Sequence, residues 1–126
     1  MTHYVNMSKL DPVILKFESW RNGTDAVDGH LSPILIKYTA SWCGPCKVLT
    51  FEKVMEGLAG MGLTFVEIDV DNHPQAVDYF GVRSIPAFVL LVPSGDKRKH
   101  VGPTVFSSVA PLKNWVSSHT LESNFS

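Results

Sequence analysis

Two cysteines stand in this chain, both inside the stretch Trp42-Cys43-Gly44-Pro45-Cys46-Lys47. The residues before them, Pro33 to Thr39, form a nearly continuous apolar run, the pattern of a central strand covered on both faces. The residues after them recur at helical spacing, with Val48, Phe51, Val54, Met55 and Leu58 along one face and Gly60 and Gly62 at the end. A pair two residues apart on one turn can close into a small disulfide ring. A cysteine that opens a helix also faces unsatisfied backbone N–H groups and the positive end of the helix dipole, which favour thiolate over thiol. Thiolate is the nucleophile of disulfide exchange, and a neighbouring second cysteine can resolve the mixed disulfide.

The rest of the chain alternates in the same way, without repeats, low-complexity tracts or linkers. A short strand is expected at Tyr4-Val5-Asn6, then a helix opening at Asp11-Pro12, where Asp caps and Pro is tolerated. Arg21 to Ser32 is rich in Gly, Asp, Asn and Thr and reads as a loop with room for a helical turn. Leu63 to Asp69 reads as a strand, His73-Pro74 starts a short helix through Phe80, and Ala87 to Val92 is a further strand. A turn at Ser94-Gly95 lets Lys97 to Val101 pair back as a hairpin. The last helix opens near Ser107-Ser108 with Val109, Leu112, Trp115 and Val116 as its buried stripe, and a polar, frayed tail follows His119. The order β-α-β-α-β-α-β-β-α predicts an α/β domain over residues 1–126, a mixed sheet with helices on both faces.

Composition excludes several classes. With 44% hydrophobic and 18% charged residues, the 126-residue chain fits a compact globular domain rather than disorder. A net charge of −1 argues against an electrostatic nucleic-acid or membrane binder. The one basic cluster, Lys97-Arg98-Lys99-His100, reads as an exposed edge strand kept from aggregating by its charges. Lys9, Asp11, Pro12, Lys16 and Glu18 interrupt any secretory pattern in the first twenty residues, and no stretch nears the roughly 18 apolar residues of a membrane span. A cytoplasmic address is the expectation, and there a cysteine pair is catalytic or metal-binding rather than a structural staple. A closed zinc site needs about four ligands at short spacing. His3, His30, His73, His100 and His119 are scattered, so no metal site is predicted.

The hexapeptide at 42–47, set between strand and helix, resembles the active-site motif of the thioredoxin family, and the similarity extends from about Tyr4 to Ser118. Arg83-Ser84-Ile85-Pro86 resembles the family's loop ending in a cis proline, and Val101-Gly102 its neighbouring loop. The resemblance implies a thioredoxin fold, a central mixed sheet of four to five strands flanked by about four helices. It implies that Cys43 attacks a substrate disulfide and Cys46 resolves the intermediate, through a reversible Cys43–Cys46 disulfide with no bound cofactor. Trp42, Gly44, Pro45, Ile85, Pro86, Val101 and Gly102 would form a flat apolar docking surface. An X-Pro bond is cis at modest cost, and Pro lacks an N–H while the preceding residue stays free to pair with an extended segment. The implied partners are disulfide-containing client proteins and a thioredoxin reductase or similar electron donor, the chain itself being a monomer.

The chain departs from the family at a buried position. Six residues before the first cysteine the family keeps Asp; here Lys37 stands there, and Glu67 stands where the family usually has Lys. Either Lys37 shifts to the surface, or Lys37 and Glu67 form a charge-reversed ion pair behind Cys46. The ungapped spacing to Cys43 favours the pair. An ammonium there would stabilise a Cys46 thiolate, and Glu67 or water would take its proton. Phe51 replaces a helix-kinking Pro, so a straighter helix is expected, and Thr39 replaces a common aromatic. Three functions compete: a general protein-disulfide reductase, a binding module whose redox chemistry is incidental, and a dithiol oxidase or isomerase, against which Gly-Pro between the cysteines speaks.

Overall fold

The computed structural model describes residues 12–124, so the expected strand at Tyr4-Val5-Asn6 and the Asp11 cap lie outside the described residues. The elements run α1 (Pro12–Arg21), β1 (Ile34–Thr39), α2 (Gly44–Val48), α3 (Phe51–Gly57), β2 (Thr64–Asp69), α4 (Pro74–Phe80), β3 (Ala87–Ser94), β4 (Lys97–Val105) and α5 (Val109–Asn124). The four strands form one mixed sheet in the order β2-β1-β3-β4. Because α2 and α3 carry the chain across the sheet, β2 runs parallel to β1, while β3 is antiparallel to both β1 and β4. The β3–β4 turn uses Gly95 at φ 65°.

Alternation along β1 distributes the core. Ile34, Ile36 and Tyr38 face Phe17 of α1 and Ala76 and Phe80 of α4. Leu35 faces the opposite way, onto Leu49, Val54 and Leu58 and onto Leu112 and Val116 of α5. Each such side chain contributes about 1.5–3 kcal/mol when fully buried. The Tyr38 hydroxyl donates to the Ala76 carbonyl at 2.7 Å, and burial pushes its pKa up. By the same alternation, Lys37 falls on the Leu35 face, under α2 and α3.

Four details depart from the sequence reading. The helix after the cysteines does not run straight but breaks at Leu49–Thr50. Thr50 takes extended backbone and its hydroxyl accepts the Lys53 N–H, capping a new helix, while the Lys53 ammonium donates to the Val48 carbonyl at 3.0 Å. Val48 consequently leaves the apolar face, 65% exposed, and Leu49 is buried in its place. Arg98 is not part of an exposed charge cluster: it is buried on Asp25, with further bonds to the carbonyls of Trp20 and Ser32. The 22–33 loop makes no helical turn at its tip; Val27 bridges His30 across Asp28 and Gly29, both at positive φ, as a tight hairpin does. Finally, β4 reaches Val105 and α5 continues to Asn124, both longer than expected.

Candidate active site

The carboxyl end of β1 delivers the chain into a turn at Ala40, closed by the Cys43 N–H donating to the Ala40 carbonyl at 3.2 Å. Cys43 is the N-cap of α2, and Gly44 and Pro45 open the helix, where Pro's fixed φ and missing N–H match what a first turn needs. The Cys46 N–H donates to Cys43 Sγ at 3.2 Å, so a backbone donor points at the sulfur that would carry charge. Cys43 and Cys46 are joined as a disulfide, their Cα atoms 5.3 Å apart. Ala40, Val70 and Ile85 pack against the pair, leaving Cys43 with 4% of its surface exposed.

Trp42 stands beside the disulfide, 66% exposed, its indole N–H donating to Asp71 Oδ2 at 2.9 Å. The Asp71 N–H in turn donates to Asp69 Oδ1 at 2.9 Å. Asp71 was not legible as a site residue, although a carboxylate just past a strand parallel to β1 must lie near the end of β1. Trp42, Val70, Val82, Arg83, Ser84 and Ile85 line a groove of about 330 Å³ along one side of the disulfide. Pro86 follows, buried, with a cis Ile85–Pro86 bond. Gly44 and Pro45 are exposed. Val101 and Gly102 do not join this groove. A bulge between Phe88 and Leu90 sets Val101 opposite Leu90 and into the core beside α5, and Gly102 lies at φ 92° against the Phe88 carbonyl, where a Cβ would approach to 2.7 Å.

Lys37 and Glu67 are brought together, as the resemblance implies. They are register partners on the parallel strands β1 and β2, with Lys37 Nζ 3.7 Å from Glu67 Oε2. The same ammonium donates to the Cys46 carbonyl at 3.4 Å. Lys37 is 1% exposed. Burial lowers its pKa, and the charges of Glu67 and Glu52 act to raise it. Among the described residues no group of three or more His, Cys, Asp or Glu side chains is placed to hold a metal ion.

This arrangement offers a two-electron couple, dithiol to disulfide, at the tip of a strand–helix turn with a groove beside it. The thioredoxin family pattern matches residues 13–117. The chain belongs to the thioredoxin family. It is 34% identical over 91 residues to the thioredoxin of Chlamydia muridarum, covering 71% of this chain and 85% of that protein. It is 35% identical over 86 residues to that of Chlamydia trachomatis, covering 67% and 80%. Among solved structures, Plasmodium falciparum thioredoxin superposes with a TM-score of 0.63 at 26% identity, covering 70% of this chain and 71% of that one. Thioredoxin NaTrxh from Nicotiana alata gives a TM-score of 0.61 at 26% identity over 86% and 84%. The four-stranded mixed sheet with its flanking helices is the thioredoxin fold. As a thioredoxin, the chain is a thiol-disulfide oxidoreductase whose redox centre is the Cys43–Cys46 disulfide. Thioredoxins act on disulfide substrates and are themselves reduced by a thioredoxin reductase.

Proposed function

We propose that this thioredoxin is a general protein-disulfide reductase of the cytoplasm, drawing electrons from a thioredoxin reductase and working as a monomer. In the reduced state the Cys43 thiolate attacks one sulfur of a client disulfide, and the other client sulfur leaves as a thiolate and takes a proton. Cys46 then loses its proton and attacks Cys43 Sγ. The Cys43–Cys46 disulfide forms, the second client sulfur is released, and the client has gained two electrons. Trp42, Gly44, Pro45, Ile85 and Pro86 are assigned the docking of the client, with Ile85 offering backbone to an extended segment. Arg83 and Ser84 complete the wall of that groove.

One observation carries the reading: the disulfide sits at the N-cap of α2 beside an exposed Trp42 and a groove lined by Trp42 and Ile85. Insulin reduction tests it, run once with dithiothreitol and once with a reductase system. Turnover in both arms is expected, and Cys43→Ser abolishes it. Activity with dithiothreitol alone would point to a different electron donor. Should partner binding and biological role persist in the Cys43→Ser, Cys46→Ser double variant, the protein is a binding module instead.

A further inference from the structure

Two charged side chains are buried in the described core, Lys37 and Arg98, and they are held very differently. Arg98 has a two-point contact to Asp25 at 2.7 and 2.8 Å and carbonyl partners at 2.8 Å, the short bonds of a structural pair. The Lys37 ammonium has 3.7 Å to Glu67 and 3.4 Å to the Cys46 carbonyl. Burying a cation behind bonds this long does not favour stability, because desolvation outweighs weak pairing. The position of the charge is more telling than its bonds. It lies behind the resolving cysteine, on a separate groove of about 340 Å³ whose lining includes Cys46, Lys37, Glu52, Glu67 and Lys47. Glu67 reaches solvent there, with its side chain 39% exposed.

We infer that Lys37 is a positioning residue for the resolving step: its buried ammonium, 3.7 Å from Glu67, stabilises the thiolate of Cys46. The inference rests on the disulfide-exchange reading above. While Cys43 is bound to a client sulfur it carries no charge, so Cys46 ionises alone and feels the ammonium undiminished. The Cys46 S–H proton leaves through the groove to solvent. The sulfur lone pair then attacks Cys43 Sγ, the Cys43–client bond breaks, and the client sulfur departs with the bonding electrons and takes up a solvent proton. The other charged groups facing this groove are Glu52 from α3, Asp69 and Glu67 from β2, and Lys47 from α2. Asp69 is occupied by the Asp71 N–H, and Glu52 and Lys47 are exposed, where solvent screens them.

Cys43→Ser leaves Cys46 as the sole thiol, and its ionisation can be followed by thiolate ultraviolet absorbance against pH. Adding Lys37→Met removes the charge at similar volume, and Glu67, being partly exposed, can rehydrate, so the fold is expected to survive. The Cys46 midpoint should move up by about one to three pH units, and Lys37→Arg should restore most of the shift. In the protein with both cysteines, Lys37→Met should move the equilibrium with glutathione toward the disulfide. If the methionine variant does not fold, Lys37→Gln supplies the same neutral position. An unmoved midpoint in a folded, circular-dichroism-native neutral variant overturns the inference. Failure of the unsubstituted protein to reduce insulin would instead overturn the reading beneath it.

Discussion

Arg98 meets Asp25 through two parallel bonds, Nη1 to Oδ1 at 2.7 Å and Nη2 to Oδ2 at 2.8 Å, across 73 positions of sequence. The contact ties the loop after α1 to the β3–β4 hairpin. The Arg98 guanidinium holds the Asp25 carboxyl below its ordinary value of 3.8. A depressed carboxyl contributes stability that is complete above the unfolded value and is lost as pH falls through the lower folded value. Asp25→Asn should therefore flatten the acid side of a melting-temperature profile below about pH 4. The Asp25 side chain is 41% exposed, so screening keeps the loss near neutrality to about 1 kcal/mol. An unchanged acid profile would mean that the pair contributes nothing.

Lys37→Asp sets a second carboxylate opposite Glu67 in a buried register position. The expected cost is about 3–5 kcal/mol, because the new carboxylate is itself a buried charge with no cationic partner. Thermal melting reads it directly. A melting temperature equal to that of the unsubstituted protein would show that the Lys37–Glu67 contact does not form in solution.

The reduction potential of the Cys43–Cys46 couple, measured against glutathione, should be less reducing than about −270 mV, the thioredoxin reference. A cation behind Cys46 favours the dithiol over the disulfide by stabilising its ionised form. A value at or below the reference would count against that role for Lys37.

Cys46→Ser removes the resolving sulfur but leaves the attacking one. Mixed disulfides between Cys43 and client proteins should then accumulate and be visible on a non-reducing gel. Their absence, with client disulfides intact, would place the attacking sulfur elsewhere.

Thr50→Ala removes the oxygen that accepts the Lys53 N–H. The loss expected is about 1 kcal/mol, the ordinary value of an N-cap side chain. Equal stability of the variant would indicate that Lys53 reaching the Val48 carbonyl is enough to hold the break.

Much of the fold was readable because its signals are local. Apolar runs, glycine and proline punctuation and the cysteine spacing placed β1, β2, β3 and α4 nearly to the residue, with their active-site turn. The Lys37–Glu67 pairing was readable too, but through the family resemblance, which aligns the two with the family's paired positions without a gap before Cys43 and through Asp71 and Pro74. The unread features depend on distant or fine geometry. Nothing near Arg98 announces Asp25, so a run of basic residues looked like an exposed strand. Thr50 inside a helical period looked like helix interior, because a cap and a mid-helix Thr are identical in sequence. The bulge between Phe88 and Leu90, which sets Val101 opposite Leu90 and partly buries it against the α5 side of the core, has no local signature either.

The attacking sulfur shows almost no surface, although the residues around it, Trp42, Gly44 and Pro45, are open. A small oxidant tumbling in from a random angle therefore strikes indole, glycine or proline far more often than sulfur. Discrimination here is a matter of trajectory: the sulfur pair is approached across its neighbours rather than from open solvent.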